Sequence, residues 1–289
     1  MREPLSSWRV KAAVYWVLSA LPGNVSVQHL IHRHVTHTIP LPDETVRKYV
    51  WLAKRHVDLV AAHASKPLGE LQFYEFGAGQ TMLGPLSFYG FGVNSQVVVD
   101  IRRLIQLDEV QRIARLLHDP AYGLQRPPPP SLEAAGITYR APVDARKSPF
   151  AASSFDVVSS TVTLEHIPPD DIYAIFEDCR RILRPGGLMS SIIDYTDHYS
   201  YGDSRLGPLN YLRYASKAWR RWNPPLFYQN RLRHSDYVGM ARRAGFELVA
   251  EQLESVVDVP APTDVHGEFA RYEKADLFAT GSTVLMRKA

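Results

Sequence analysis

The chain has 289 residues, 45% apolar and 22% charged, a globular balance that excludes a disordered or low-complexity polymer. With 33 basic against 30 acidic side chains the net charge is +3, too even to make nucleic acid a partner on charge alone. A single cysteine, Cys179, excludes an intrachain disulfide, fits a reducing cytoplasmic setting and reads as a small buried side chain in a helix.

In chain order, Ser7–Ala20 reads as an amphipathic helix. It is too short and too polar to span a bilayer, and it lacks the small-residue cleavage site of a secretory leader. Its expected role is packing on the main domain, with a membrane-surface or dimer contact as the alternative. Pro40-Leu41-Pro42 breaks the chain. Asp43 is placed to cap a helix starting at Glu44, whose Val46, Val50, Ala53, Val57, Val60 and Ala61 recur at helical spacing. Strand-like runs then alternate with helical ones. Strands are expected at Leu71–Phe76, Gln96–Asp100, Ile137–Val143, Phe155–Ser159, Leu188–Ile193, Phe246–Ala250 and Thr283–Met286. Helices are expected at Leu107–Leu117, at Asp170–Leu183 and from Ser235, as cap, to Ala244, with Gly245 as the stop. Pro127–Pro130 can only be surface loop. This alternation predicts an α/β doubly wound, mostly parallel sheet. The segment 195–233, rich in Tyr, Trp, Arg, Asn and Pro, interrupts the rhythm as long irregular functional connections do.

Two features carry ligand chemistry. Glu75-Phe-Gly77-Ala78-Gly79-Gln-Thr81 follows the first strand, where a parallel sheet opens its crevice and glycine lets backbone approach a ligand. Asp100 ends the next strand, where a carboxylate can accept both hydroxyls of a ribose. Either alone also fits a simple tight turn or an exposed strand-end acid.

Four blocks in order, Tyr74-Glu-Phe-Gly-Ala-Gly79, Val98-Val-Asp100-Ile, Ser154-Phe-Asp156-Val-Val-Ser-Ser160 and Arg181-Ile-Leu-Arg184-Pro-Gly-Gly187, with Leu164-Glu-His-Ile167 between the last two, resemble the Rossmann-like (class I) S-adenosylmethionine-dependent methyltransferases. The resemblance runs from about residue 43 to the end. It implies a seven-stranded sheet with an antiparallel last strand, and S-adenosylmethionine as cofactor with S-adenosylhomocysteine as product. Gly77, Ala78 and Gly79 would line the methionine portion, Asp100 would hold the ribose, and Glu75 would be a further cofactor-binding residue. Asp144 would meet the adenine amino group, Ile101 and Ala145 would flank the ring, Ser160 and Thr161 would face the sulfonium side, and His166 would be a helix-start or cofactor-edge residue. Phe155-Asp156 and Arg184–Gly187 read as scaffold. Thr81 stands where the family's third glycine is usual. Glu165-His166 is similar to a metal site of some RNA-end and quinone methyltransferases, but their preceding glutamate is Val162 here, so no metal is expected.

The acceptor side is read from the residues of the insertion. His198, just past the fifth strand, is the candidate general base, oriented by Asp197 or Asp194. Tyr199, Asn210, Arg213, Asn230, Arg231 and Arg233 are the candidate substrate contacts, a planar and hydrogen-bonding set suited to a small molecule or saccharide. Residues 1–42 and 195–233 are expected to cap a domain formed by 43–289. The expected reaction is O-methylation. The rivals are an NAD-dependent oxidoreductase, disfavoured because Gly77–Met82 lacks the closing small residue of the dinucleotide fingerprint, a non-catalytic methyltransferase-like regulatory partner, and RNA methylation, for which the basic clusters are modest. The identity of the acceptor and the oligomeric state do not follow from the sequence.

Overall fold

The structure is a computed structural model and describes residues 7–21, 40–77, 79–255 and 264–289. Among these residues seven strands form one sheet: β1 Gln72–Phe76, β2 Ser95–Val99, β3 Ile137–Arg140, β4 Phe155–Thr161, β5 Leu183–Asp194, β6 Phe246–Glu254 and β7 Gly281–Lys288. Their order is β3-β2-β1-β4-β5-β7-β6. The first five run parallel, and β7 inserts antiparallel between β5 and β6. The helices are α1 Trp8–Ser19, α2 Asp43–His63, α3 Leu83–Gly90, α4 Leu107–Leu116, α5 Pro169–Ile182, α6 Ser216–Trp219, α7 His234–Arg243 and α8 Lys274–Leu277.

Adjacent strand residues feed opposite cores, as a sheet buried on both faces requires. Phe73, Val98, Val157 and Leu188 pack with α2, α3 and α4. Their neighbours Tyr74, Val99, Val158 and Met189 pack with α5 and α7. Cys179 lies in that second core, and burial pushes its thiol well above its ordinary range. The helical stripe read on α2 is buried at Val46, Val50, Ala53, Val57 and Val60, whereas Ala61 is exposed.

Two predicted caps are corrected. Pro42 takes the cap position of α2, and Asp43 sits one residue inside the helix. There its carboxylate accepts from Arg47 one turn on and from the Tyr122 hydroxyl. Ser235 likewise lies inside α7, which starts at His234; Asp236 closes that end by accepting from the Arg233 backbone N–H at 2.9 Å. The fifth strand begins at Leu183 rather than Leu188. Leu183 pairs with Phe155 and Leu188 with Val157, so Arg184–Gly187 bulges from the ladder. Asp156 is scaffold, accepting from the Gln72 N–H and the Arg184 guanidinium.

A third, smaller core joins α1 to the insertion. Trp8 packs among Tyr199, Tyr214, Trp219 and Trp222, and Tyr15 stacks on Phe227 at 4.9 Å. The Trp8 N–H donates to Asp203, and the Trp16 indole donates to the Arg221 carbonyl. No helix among the described residues is long and apolar enough to cross a membrane.

Candidate active site

The chain leaves β1 and lays β2 and β3 to one side, then crosses to β4 on the other. Such a switch opens a crevice beyond the carboxyl ends of the two central strands. Two cavities occupy it here, of about 370 and 580 Å³, and both are bordered by Gly77, Gly79, Val162 and Thr163.

Gly77 bends the chain out of β1 at φ +80°, and a Cβ there would stand 2.3 Å from Thr163 Cγ2. Only glycine meets both demands. Val162, facing it from the end of β4, also has positive φ (43°), a strained state for a β-branched residue. Its N–H is anchored on the Ile192 carbonyl. Ala78 lies outside the described residues.

The larger cavity is lined by Asp100, Ile101, Asp144, Ala145 and His166. Asp100 is 7% exposed and receives the N–H groups of Gly79 and Arg102, which set its carboxylate at the cavity edge with lone pairs to spare. Ile101 is 60% exposed, an apolar surface available to a flat ring. Asp144 is engaged by Arg146, which also holds Asp171. Its carboxylate therefore sits lower than an ordinary one, chiefly through the Arg146 hydrogen bonds.

The smaller cavity is lined by Glu75 and Thr161, and over them by Leu41, Thr45 and Tyr49, a stripe at four-residue spacing entering α2. Glu75 is 5% exposed, and its Oε2 has no hydrogen-bond partner. Burial raises its pKa to about 8, against a weaker opposing bond from Thr161. Beneath it lies a buried chain absent from the sequence reading. Ser190 Oγ is 2.7 Å from His56 Nδ1, His56 Nε2 is 3.2 Å from Thr161 Oγ1, and Thr161 donates to Glu75 Oε1 at 3.4 Å. Burial lowers the His56 pKa to about 3, so the ring is neutral and can accept at one nitrogen while donating at the other. The signal for it was a histidine on the core stripe of α2, between Ala53 and Val60. Ser160, read as a sulfonium neighbour, is fully buried and lines neither cavity.

On the acceptor side the predictions divide. His198 follows the end of β5 with its ring 4.8 Å from that of His166, and it lines neither cavity. Burial, reinforced by His166 and opposed by Asp194, lowers its pKa to about 4, so the ring is neutral. Its Nε2 has no hydrogen-bond partner. Asp197 does not orient it: that carboxylate is fully buried and accepts from the Tyr199 N–H and the Asn210 amide. The neighbouring acid is Asp194, 3.8 Å from Nε2.

Most of the expected substrate contacts are scaffold, because in a connection this long the polar groups must first satisfy backbone. Tyr199 donates to the Trp222 carbonyl. Asn210 serves Asp197, and Arg213 pairs with Asp264 away from both cavities. Asn230 ties down the 164–167 turn by donating to the Leu164 and Ile167 carbonyls. Arg231 donates to the carbonyls of Tyr211 and Tyr214 and pairs with Glu268. Arg233 is fully buried, donating to the Tyr211 hydroxyl and to the carbonyls of Asp276 and Ala279.

Residues 129–191 match the family model of a methyltransferase domain, a span that holds Asp144, Thr161, His166 and Arg184–Gly187 but not the glycine loop. The matched description is that of a methyltransferase domain, and the sheet order described above is Rossmann-like. Among solved structures the chain is similar to an S-adenosylmethionine-dependent methyltransferase from Mesorhizobium loti (16% identity over 82% of this chain and 100% of that one, TM-score 0.48). It is similar to one from Methanosarcina mazei (14%, over 80% and 96%, TM-score 0.46). A third is geranyl diphosphate C-methyltransferase from Streptomyces coelicolor, solved with Mg2+, geranyl diphosphate and S-adenosylhomocysteine (13%, over 86% of each chain, TM-score 0.48). No curated protein matches the chain.

Proposed function

We propose that this protein is an S-adenosylmethionine-dependent methyltransferase that methylates an oxygen of a small molecule or saccharide, with α1 and residues 195–233 as the acceptor-side cap. The supporting observation is the pair of cavities meeting at Gly77 and Gly79, with an orphaned acid at one end and a ribose-suited acid at the other. The cofactor's sulfonium supplies an electrophilic methyl group. Asp100 would hold its ribose, Ile101 and Ala145 the faces of its ring, and Glu75 Oε2 its methionine ammonium. The orphaned Oε2, which lines the same cavity as Gly77 and Gly79, fits that occupant. Asp144 could take the adenine amino group only by sharing its carboxylate with Arg146.

An acceptor hydroxyl must be aligned and relieved of its proton. His198 is suited to take that proton: its ring is neutral, its Nε2 is unengaged, and it is neighbour to a groove-lining residue. Asp194 rather than Asp197 would stabilise the imidazolium that results. Calorimetric titration with S-adenosylhomocysteine and, separately, NAD tests the cofactor. Micromolar binding of the former alone is expected, and binding of NAD alone would overturn the reading. Hydroxyl acceptors, saccharides first, would then be screened by mass shift.

A further inference from the structure

Val162 removes one carboxylate from the region before Glu165-His166, and on that ground no metal was expected there. The fold supplies a different third donor. Glu165, His166 and His198 bring one oxygen and two nitrogen donors within 4.8 Å of one another. The third comes from the insertion after β5, 32 residues beyond His166. We propose that these three side chains bind a first-row divalent transition cation, of the kind represented by Mn2+, Fe2+ or Zn2+, at the acceptor end of the groove. Two imidazoles and a carboxylate select such ions over Mg2+ and Ca2+, which prefer all-oxygen sites.

Three observations carry this. First, Glu165 is 1% exposed, and neither carboxylate oxygen has a hydrogen-bond partner. A buried carboxylate without partners is costly unless it is protonated or faces a cation. Lys48 bears on it as a charge, without a hydrogen bond, and its ammonium stands 5.8 Å from the Tyr201 ring.

Second, the nitrogens present the right atoms. His166 Nδ1 is 2.9 Å from the Tyr228 carbonyl. A carbonyl can only accept, so Nδ1 carries the hydrogen and Nε2 keeps its lone pair, the usual arrangement behind a ligating histidine. His198 Nε2 is buried and unpartnered.

Third, one short segment braces all three donors. Tyr228 holds the His166 ring. Gln229 Oε1 accepts from the His198 N–H at 3.1 Å. The Asn230 N–H donates to the Glu165 carbonyl at 2.7 Å, while its amide pins the Leu164 and Ile167 carbonyls. Asp194, 3.8 Å from His198 Nε2, adds a second negative charge, which makes the pocket neutral once a dication enters. Bonds of about 2.1 Å need the donors to close to about 3 Å from one another, a movement within side-chain rotation.

The proposal deepens the methyltransferase reading, since the ion would hold the acceptor's oxygen. It also changes the part of His198, because a ligating Nε2 has no lone pair left for a proton. The test is titration of the full-length, chelator-treated protein with Mn2+, followed by electron paramagnetic resonance. The expected result is one Mn2+ per chain at micromolar affinity, displaced by Zn2+ but not by equimolar Mg2+. Electron spin-echo modulation from two imidazole nitrogens is expected, with one lost in His166→Gln and the other in His198→Gln.

Glu165→Gln should weaken Mn2+ by more than about 100-fold, beyond the roughly 10- to 100-fold of an outer partner, while thermal melting shows it folded. No binding by roughly 1 mM Mn2+ would overturn the proposal. So would bound Mn2+ without nitrogen modulation, or a folded Glu165→Gln that binds normally. A separate S-adenosylhomocysteine titration keeps the two readings apart: failure there with Mn2+ bound refutes the methyltransferase reading and supports the metal site.

Discussion

Cofactor affinity should rise steeply between pH 6 and pH 8, and Glu75 is the reason. Its carboxyl, 5% exposed with Oε2 unpartnered, titrates at about 8 because burial disfavours the charge. A methionine ammonium docked on Oε2 needs the ionised form. At pH 6 ionisation must first be forced against two pH units, about 2.7 kcal/mol at 1.36 kcal/mol per unit. The ionised fraction rises from about 1% at pH 6 to about half at pH 8, so S-adenosylhomocysteine should bind about 50-fold more tightly at the higher pH. Calorimetry in buffers of different ionisation enthalpy should show nearly one proton released per ligand at pH 6 and fewer above pH 8. Glu75→Gln should bind more weakly at pH 8, by about 1.5–3 kcal/mol for a lost charge-assisted bond, with a flat pH profile. Equal affinities at pH 6 and 8 in the unmodified protein, or a Gln variant that keeps the slope, would refute the placement of the ammonium at Glu75.

The same group sets a stability trend of known sign. An acid whose folded pKa is raised stabilises the fold below its unfolded pKa and loses that contribution as pH climbs toward about 8, so the ligand-free protein should melt lower at pH 8 than the Glu75→Gln variant, relative to their values at pH 5. Asp100→Ala should weaken S-adenosylhomocysteine by about 1–3 kcal/mol through lost ribose bonds with little change in melting; normal binding would show β2 does not carry the ribose site. Gly77→Ala must hold positive φ and push Thr163 aside, so it should lose about 1–3 kcal/mol of stability and most cofactor affinity; an unaffected variant would mean the loop relaxes freely. His198→Ala should cut turnover while leaving S-adenosylhomocysteine affinity nearly unchanged, and unchanged turnover would remove His198 from the reaction. Arg233→Met should cost about 3 kcal/mol, because it leaves the Asp276 and Ala279 carbonyls unpaired in the core; a normal melting temperature with a raised acceptor KM would restore Arg233 as a substrate contact.

The periodic signals in the sequence determined much of the fold. Strand-like runs at Leu71–Phe76, Gln96–Asp100 and Phe155–Ser159, alternating with helical ones, predicted a mostly parallel sheet with helices on both faces, and cores lie on both faces of the strands found there. The positive-φ loop after β1 and the acid after β2 were legible because each is a local property of one strand end. The caps of α2 and α7 slipped by one or two residues, since Pro42 and Arg233 could also hold the position and cap chemistry is shared among neighbours.

What only the tertiary structure decided is which polar side chains are free. In segment 195–233, Arg233, Asn210 and Asn230 look like ligand-binding residues in sequence, yet backbone carbonyls and Asp197 consume them, because an irregular chain must satisfy its own polar groups before it can offer any to a ligand. Conversely, local pattern marks Glu75 by the loop after β1, Glu165 by the Glu165-His166 pair and His56 by the core stripe of α2, but it does not say what each of these side chains faces. Their meaning comes from burial beside elements that are distant in the chain: α2 against β4 and β5 for His56, the insertion against the 164–167 turn for Glu165, and β1 beneath the entrance of α2 for Glu75. Whether a carboxylate is buried and unpaired depends on such long-range packing, and no window of the sequence contains it.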